Sequence, residues 1–156
     1  MKVPRIYIDT SVIGGCFDPE FAKWSNGLMK DFRLGHFKPV VSDTVTVELI
    51  KAPEDVKRQY AQLLEYGAEK IEEDERVTKL VQAYRKHKIL NDKFENDLLH
   101  IALATVFKVD LLVSWNFKHI VHFDKIRRFN AVNKELGYDL IQILSPREVT
   151  NYEEEI

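Results

Sequence analysis

A chain of 156 residues is near the commonest domain size and long enough to bury roughly 70% of its unfolded surface, so a single domain over 1–156 is expected. With 45% hydrophobic and 31% charged residues it is neither disordered nor fibrous, and a formal net charge of -2 does not advertise nucleic-acid binding as a strongly basic domain would. The lone cysteine, Cys16, excludes an intramolecular disulfide and a cysteine-rich zinc site, and no segment has the length of a signal peptide or membrane span, so a reducing cytoplasm is expected.

Val3 to Ile8 is a short apolar, partly β-branched run followed by Asp9-Thr10-Ser11 and Gly14-Gly15, which predicts a strand leading into a polar, glycine-bearing turn. Glu20 to Leu34 places Phe21, Trp24, Leu28 and Phe32 three or four residues apart, the spacing of one helix face, and Gly35 stops it. Lys38 to Ser42 predicts a second strand, and Ser42 or Asp43 can cap a helix over Thr44 to Lys51 that carries Glu48. Pro53 suits the first turn of a further helix ending near Tyr66, before Gly67 and a brief strand at Ala68 to Ile71.

Asp74 to His87 repeats Val77, Leu80, Val81 and Tyr84 on one face, predicting another amphipathic helix. Asp92 and Glu95 have the spacing of a capping box, opening an apolar helix from Phe94 to Phe107 with Asp97 in its first turns. A strand follows at Asp110 to Val113, then a mostly helical stretch from Lys118 to Leu136 and a last strand at Leu140 to Leu144. Strands alternating with helices predict an α/β fold with a parallel sheet covered on both faces. Right-handed crossovers bring Asp9 and Asn116 to the same C-terminal edge of that sheet, where such folds bind ligands.

Charge is unevenly placed. Lys118, Lys125, Arg127, Arg128 and Lys134, with His119 and His122, crowd one stretch, while Glu72 to Glu75 and Glu153 to Glu155 are acidic. Four polar positions stand out: Asp9, Glu48, Asp97 and Asn116. Each has a plain structural explanation: Asp9 and Asn116 as turn residues, Glu48 as a solvated helix position, Asp97 as a partner of the helix dipole. Brought together they repel one another unless protonated, paired with bases or neutralised by a cation, and oxygen donors without cysteine select Mg²⁺ or Mn²⁺.

Ile6-Tyr7-Ile8-Asp9-Thr10-Ser11-Val12-Ile13, Glu48, Asn96-Asp97-Leu98-Leu99-His100-Ile101-Ala102-Leu103-Ala104 and Leu112-Val113-Ser114-Trp115-Asn116-Phe117-Lys118-His119-Ile120 resemble, in order and spacing, the PIN-domain family. The nearest likeness is to VapC-like toxins of type II toxin-antitoxin systems, and it runs over nearly the whole chain. The resemblance implies a three-layer α/β/α sandwich and a Mg²⁺- or Mn²⁺-dependent endoribonuclease, with Asp9, Glu48 and Asp97 as acidic metal-site residues and Thr10 or Ser11 as a nearby hydroxyl. Asn116 stands where many members have a fourth acid; its amide oxygen brings no charge and would weaken a second metal site more than a first.

His100 shares a helix face with Asp97 and is either a structural histidine or a contact to the carboxylate or substrate; His119 follows Asn116 by three and is a further candidate for phosphate, with Lys118 beside it. Trp115 reads as packing before base stacking. If the toxin likeness holds, an RNA substrate, an antitoxin partner and a homodimer are implied. A module that binds RNA or protein without cutting is the alternative. A phosphatase with Asp9 as covalent nucleophile is disfavoured, because Ser11 stands where its proton-donating acid is usual.

Overall fold

The computed structural model describes residues 2–150, so the acidic run at Glu153 to Glu155 lies outside the described residues. Five strands form one all-parallel sheet: β1 (Arg5–Ile8), β2 (Lys38–Ser42), β3 (Glu69–Ile71), β4 (Leu111–Val113) and β5 (Ile143–Leu144), in the spatial order β3-β2-β1-β4-β5. The helices are α1 (Thr10–Gly15), α2 (Ala22–Arg33), α3 (Asp43–Glu48), α4 (Glu54–Glu65), α5 (Glu75–Lys86), α6 (Glu95–Val106), α7 (Phe123–Glu135) and α8 (Pro146–Val149).

Alternation along the strands divides the interior into two cores. Tyr7, Val40 and Leu112 face a core shared with Leu80 and Tyr84 of α5, Leu98 and Ile101 of α6, and Phe129 of α7. Ile6, Ile8, Val41 and Val113 face the opposite core, filled by Val12 and Ile13 of α1, Leu28 and Phe32 of α2, and Leu63 of α4. A parallel sheet covered on both faces, as the strand and helix order predicted, needs this double burial, and the result is the three-layer α/β/α sandwich that the resemblance implied.

Several local expectations are corrected. The turn after β1 is a helix: Thr10 to Gly15 coil as α1, because Val12 and Ile13 bury against the sheet and outweigh the glycines. Pro53 sits at the N-cap of α4, one residue before the helix rather than in its first turn. Asp92 does not form a capping box with Glu95: Asp92–Phe94 is a 3-10 turn capped by the Asn91 side chain, and Glu95 instead pairs with Arg85. The capping box that does form is Ser145 with Glu148, at the start of α8.

Helix α7 begins only at Phe123. The Asn116 side-chain oxygen accepts from the amides of Lys118 and His119, and its carbonyl accepts from those of Ile120 and Val121, closing a turn where a helix was expected. Trp115 is packing, as its sequence context suggested: it is buried, stacks on Phe21 at 4.2 Å between ring centroids, and its indole donates to Ser25. Gly15 makes that packing possible, since a Cβ there would lie 2.6 Å from Ser25 Oγ and 2.7 Å from Trp115 Nε1.

Strand order fixes the site. The chain runs leftward from β1 through β2 to β3, then crosses to the other side of β1 for β4 and β5, so the reversal lies between β1 and β4. Ile8 is level with Val113 across that gap, and the next residues on each strand are Asp9 and Ser114. Ligands of open parallel sheets bind in the crevice at such a reversal.

Candidate functional site

Asp9 leaves the end of β1 at the N-cap of α1, yet its side chain makes no capping bond. Its two oxygens are claimed by hydroxyls instead: Ser11 Oγ donates to Oδ1 and Ser114 Oγ donates to Oδ2, both at 2.6 Å. The same hydroxyls accept backbone amides at 2.9 Å, Ser11 from Trp115 and Ser114 from Asn116, so each serine is fixed by the strand opposite or by its own turn. The carboxylate is only 4% exposed.

Glu48 closes α3 and reaches the same edge from the β2 side. Its neighbours Val47 and Ile50 are the exposed residues of this stretch, so the carboxylate points inward where an amphipathic reading would put it in solvent. Thr10 Oγ1 donates to Glu48 Oε1 at 2.8 Å, and His100 Nε2 lies 2.7 Å from the same oxygen. His100 is buried, and its other ring nitrogen shares a 2.6 Å hydrogen bond with the Tyr7 hydroxyl, which in turn meets Ser42 Oγ at 2.7 Å. His100 therefore stands behind Glu48 with both ring nitrogens engaged, a placement that orients the carboxylate.

Asp97 lies in the first turn of α6, and its Oδ2 is 3.1 Å from His119 Nδ1. Asn116 contributes the turn that brings His119 there, so its amide oxygen is spent on backbone donors. Lys118 is exposed on that turn. Thus Asp9 and Glu48 lie close enough for the charge of one to act on the other, with Thr10, Ser11 and His100 beside them, and Asp97, whose charge also reaches His100, is bonded to His119. Ser114, Tyr7 and Ser42 were not anticipated from the sequence. For Ser114 the signal was available: a serine immediately after a strand beside β1 faces whatever follows β1.

Electrostatics separates the acids. Burial pushes the Asp9 carboxyl above its ordinary value and the Glu48 charge adds to this, while His100 and the two serine hydroxyls offset it only in part. Burial acts on Glu48 in the same direction, but the hydrogen bond and charge of His100, helped by Thr10 and Asn96, outweigh it and hold Glu48 below the usual carboxylate range. For His100, burial opposes protonation; its bond to Glu48 and the fields of Asp9, Glu48 and Asp97 reverse the balance and raise it.

The donor chemistry at this edge suits a hard divalent cation: all the acids offer oxygen, and Asp9 is a buried carboxylate short of positive charge. The acids are not drawn into a closed cage, however. Among the described residues no three His, Cys, Asp or Glu side chains are grouped so as to hold a metal ion. Nor, among them, is any helix long and apolar enough to cross a membrane.

No protein-family profile matches the sequence, and no curated protein matches it. The structure is similar to a chain in the crystal structure of VapBC2 from Rickettsia felis bound to a DNA fragment from their promoter, with a TM-score of 0.57, 16% identity, and coverage of 90% of this chain and 98% of that one. With the strand order and the two-sided burial, this likeness shows that the chain has a PIN-like α/β/α fold of the kind found in a VapBC assembly.

Proposed function

We propose that the chain is a metal-dependent endoribonuclease, the toxin of a type II toxin-antitoxin pair, with Asp9, Glu48 and Asp97 as the residues that hold Mg²⁺ or Mn²⁺. The observation that carries this reading is Asp9 itself: a buried carboxylate at the reversal point of a parallel sheet, raised by burial and fixed by two hydroxyls, with two more acids at the same edge. A bound divalent ion would supply an activated water and stabilise the charge that develops on a phosphodiester oxygen.

The chain's own residues prepare that chemistry. Ser11 and Ser114 aim Asp9, Thr10 and His100 aim Glu48, and His119 holds Asp97. Asn116 brings no charge and its oxygen is occupied, which supports one ion rather than two. Lys118 stands exposed beside the edge, where it would meet the RNA backbone. The likeness to a chain of a VapBC complex supports an antitoxin partner; that this partner covers the acidic edge with a basic side chain, and that the chain acts as a homodimer in the cytoplasm, belong to the same proposal.

The test is RNA cleavage by purified protein with Mn²⁺ or Mg²⁺. Cleavage should fall by on the order of a hundredfold or more in Asp9→Asn and in Asp97→Asn; activity that survives both substitutions overturns the assignment. A second reading, a PIN-like module that binds without cutting, is favoured by the neutral Asn116 and by the absence of a closed three-acid group among the described residues. Calorimetry with Mn²⁺ decides between them. Binding lost in Asp9→Asn supports the enzyme, and no binding at millimolar metal supports the module.

A further inference from the structure

Behind Asp97 the surface opens into a second feature that the acidic site does not use, a depression of about 460 Å³ between the end of α5, the 3-10 turn before α6 and the start of α7. Its wall carries Arg85, Lys88 and Lys125 together with Asn91, Phe94 and His119. The ring of His119 belongs to both places: Nδ1 meets Asp97 on one side, and the imidazole packs on Phe94 at 4.0 Å between centroids on the other. The depression is therefore continuous with the acidic edge.

Its charge is positive. Arg85 is paired with Glu95, and among the described residues Asp92 is the one acid on the lining, against Lys88 and Lys125. Lys125 is anchored by a 2.9 Å bond from Nζ to the carbonyl of Ile89, which leaves its other two N–H groups unused by that contact. Arg128 reaches the carbonyls of His87 and Lys88 and adds its charge to the same loop.

Lys88 is the most informative residue. It follows the C-cap of α5 in the left-handed region, with φ of 53°, a position where glycine is the usual occupant. Gly35, Gly67 and Gly137 fill the equivalent position after α2, α4 and α7; Lys108, after α6, is the other lysine so placed. Strained backbone conformations collect at binding sites, and of the two lysines held this way Lys88 lines the depression whereas Lys108 does not. The Lys88 side chain is exposed.

We propose that this depression binds the sugar-phosphate backbone of single-stranded RNA flanking the acidic site, with Lys88 making a phosphate contact and Lys125 and Arg128 supplying the surrounding charge. The proposal rests on the ribonuclease reading for its choice of ligand. It adds a second contact surface, so that a strand lying across His119 touches the acids at one point and the lysines at the next.

The probe is a fluorescent single-stranded RNA, titrated with the full chain in EDTA, which withholds the metal that cleavage needs, at a series of KCl concentrations. Lys88→Gly removes the charge and gives the left-handed position its preferred residue, so melting temperature should hold or rise. Affinity should weaken several-fold, and the slope of log K against log salt should shrink by about 0.7, the loss of one phosphate contact on a single strand. Lys88→Arg should restore both, and Lys108→Gly, the same backbone change away from the depression, should alter neither.

Equal affinity and slope for Lys88→Gly and the native chain overturns the proposal, as does failure of the native chain to bind the RNA. Cleavage assays separate the two readings. A native chain that cuts RNA while Lys88→Gly binds unchanged retains its active site and loses this surface; one that does not cut, yet binds with a Lys88-dependent slope, retains this surface and loses the nuclease.

Discussion

Asp9 and His100 show how much a single buried group depends on its partners. Because the carboxyl of Asp9 is raised by burial, its ionisation costs stability as pH climbs above the ordinary value of 3.8, and at neutral pH the metal-free protein carries that cost. Asp9→Asn should therefore raise the melting temperature of the metal-free protein while abolishing Mn²⁺ binding; a fall in melting temperature would show that the two serine donors already compensate the charge.

His100 and Glu48 behave oppositely to Asp9 in combination. His100 is raised, so its contribution is complete below the ordinary imidazole value and is lost as pH rises through the folded-state value. Glu48 is lowered, so its contribution is complete above the ordinary carboxylate value and is lost as pH falls through the lowered one. The pair contributes most between 4.5 and 6.5, and the decline in melting temperature on the alkaline side should be smaller in His100→Gln. An alkaline decline identical in that variant would assign the slope to Asp9 or to other groups.

At the scale of elements, the short helix α1 and the turn after β4 act together. Ser114 is where β4 hands over to that turn, and its hydroxyl both fixes Asp9 and receives the amide of Asn116. Groups that orient a metal ligand typically govern affinity by about 10–100-fold. Ser114→Ala should thus weaken Mn²⁺ binding within that range by calorimetry, with far-UV circular dichroism unchanged. On the far side of α1, Gly15 meets Ser25 and Trp115 with no room for a Cβ. Gly15→Ala should cost about 1–3 kcal/mol of stability in chemical denaturation, the usual penalty for overpacking. The glycine run after β1 reads as a loop because its residues are poor helix formers; it is helical because Val12 and Ile13 have a core to enter and Gly15 has a tryptophan against it.

For the whole molecule, the sheet order decides which residues meet. Asp9, Glu48 and Asp97 are 39 and 49 residues apart along the chain, and they share an edge only because β1 is flanked by β2 on one side and β4 on the other. If the acids hold a cation, Mn²⁺ should raise the melting temperature in proportion to its occupancy, and a chelator should reverse it. A melting temperature indifferent to millimolar Mn²⁺ would point instead to the non-cutting module.

The alternation of strands and helices, the candidate acids and the likeness of their motifs to PIN domains are legible in the residues alone, because hydrophobic period and residue chemistry are local. Asp9 could be singled out there, but not distinguished from a turn cap. It takes the folded chain to show that its carboxylate ignores the cap and takes two serine hydroxyls, that His100 lies buried behind Glu48, that Asn116 accepts from a backbone turn, and that a basic depression adjoins Asp97. Each of these depends on groups far apart in the chain, brought together by strand order and burial, and no local pattern encodes which buried oxygen will face which donor.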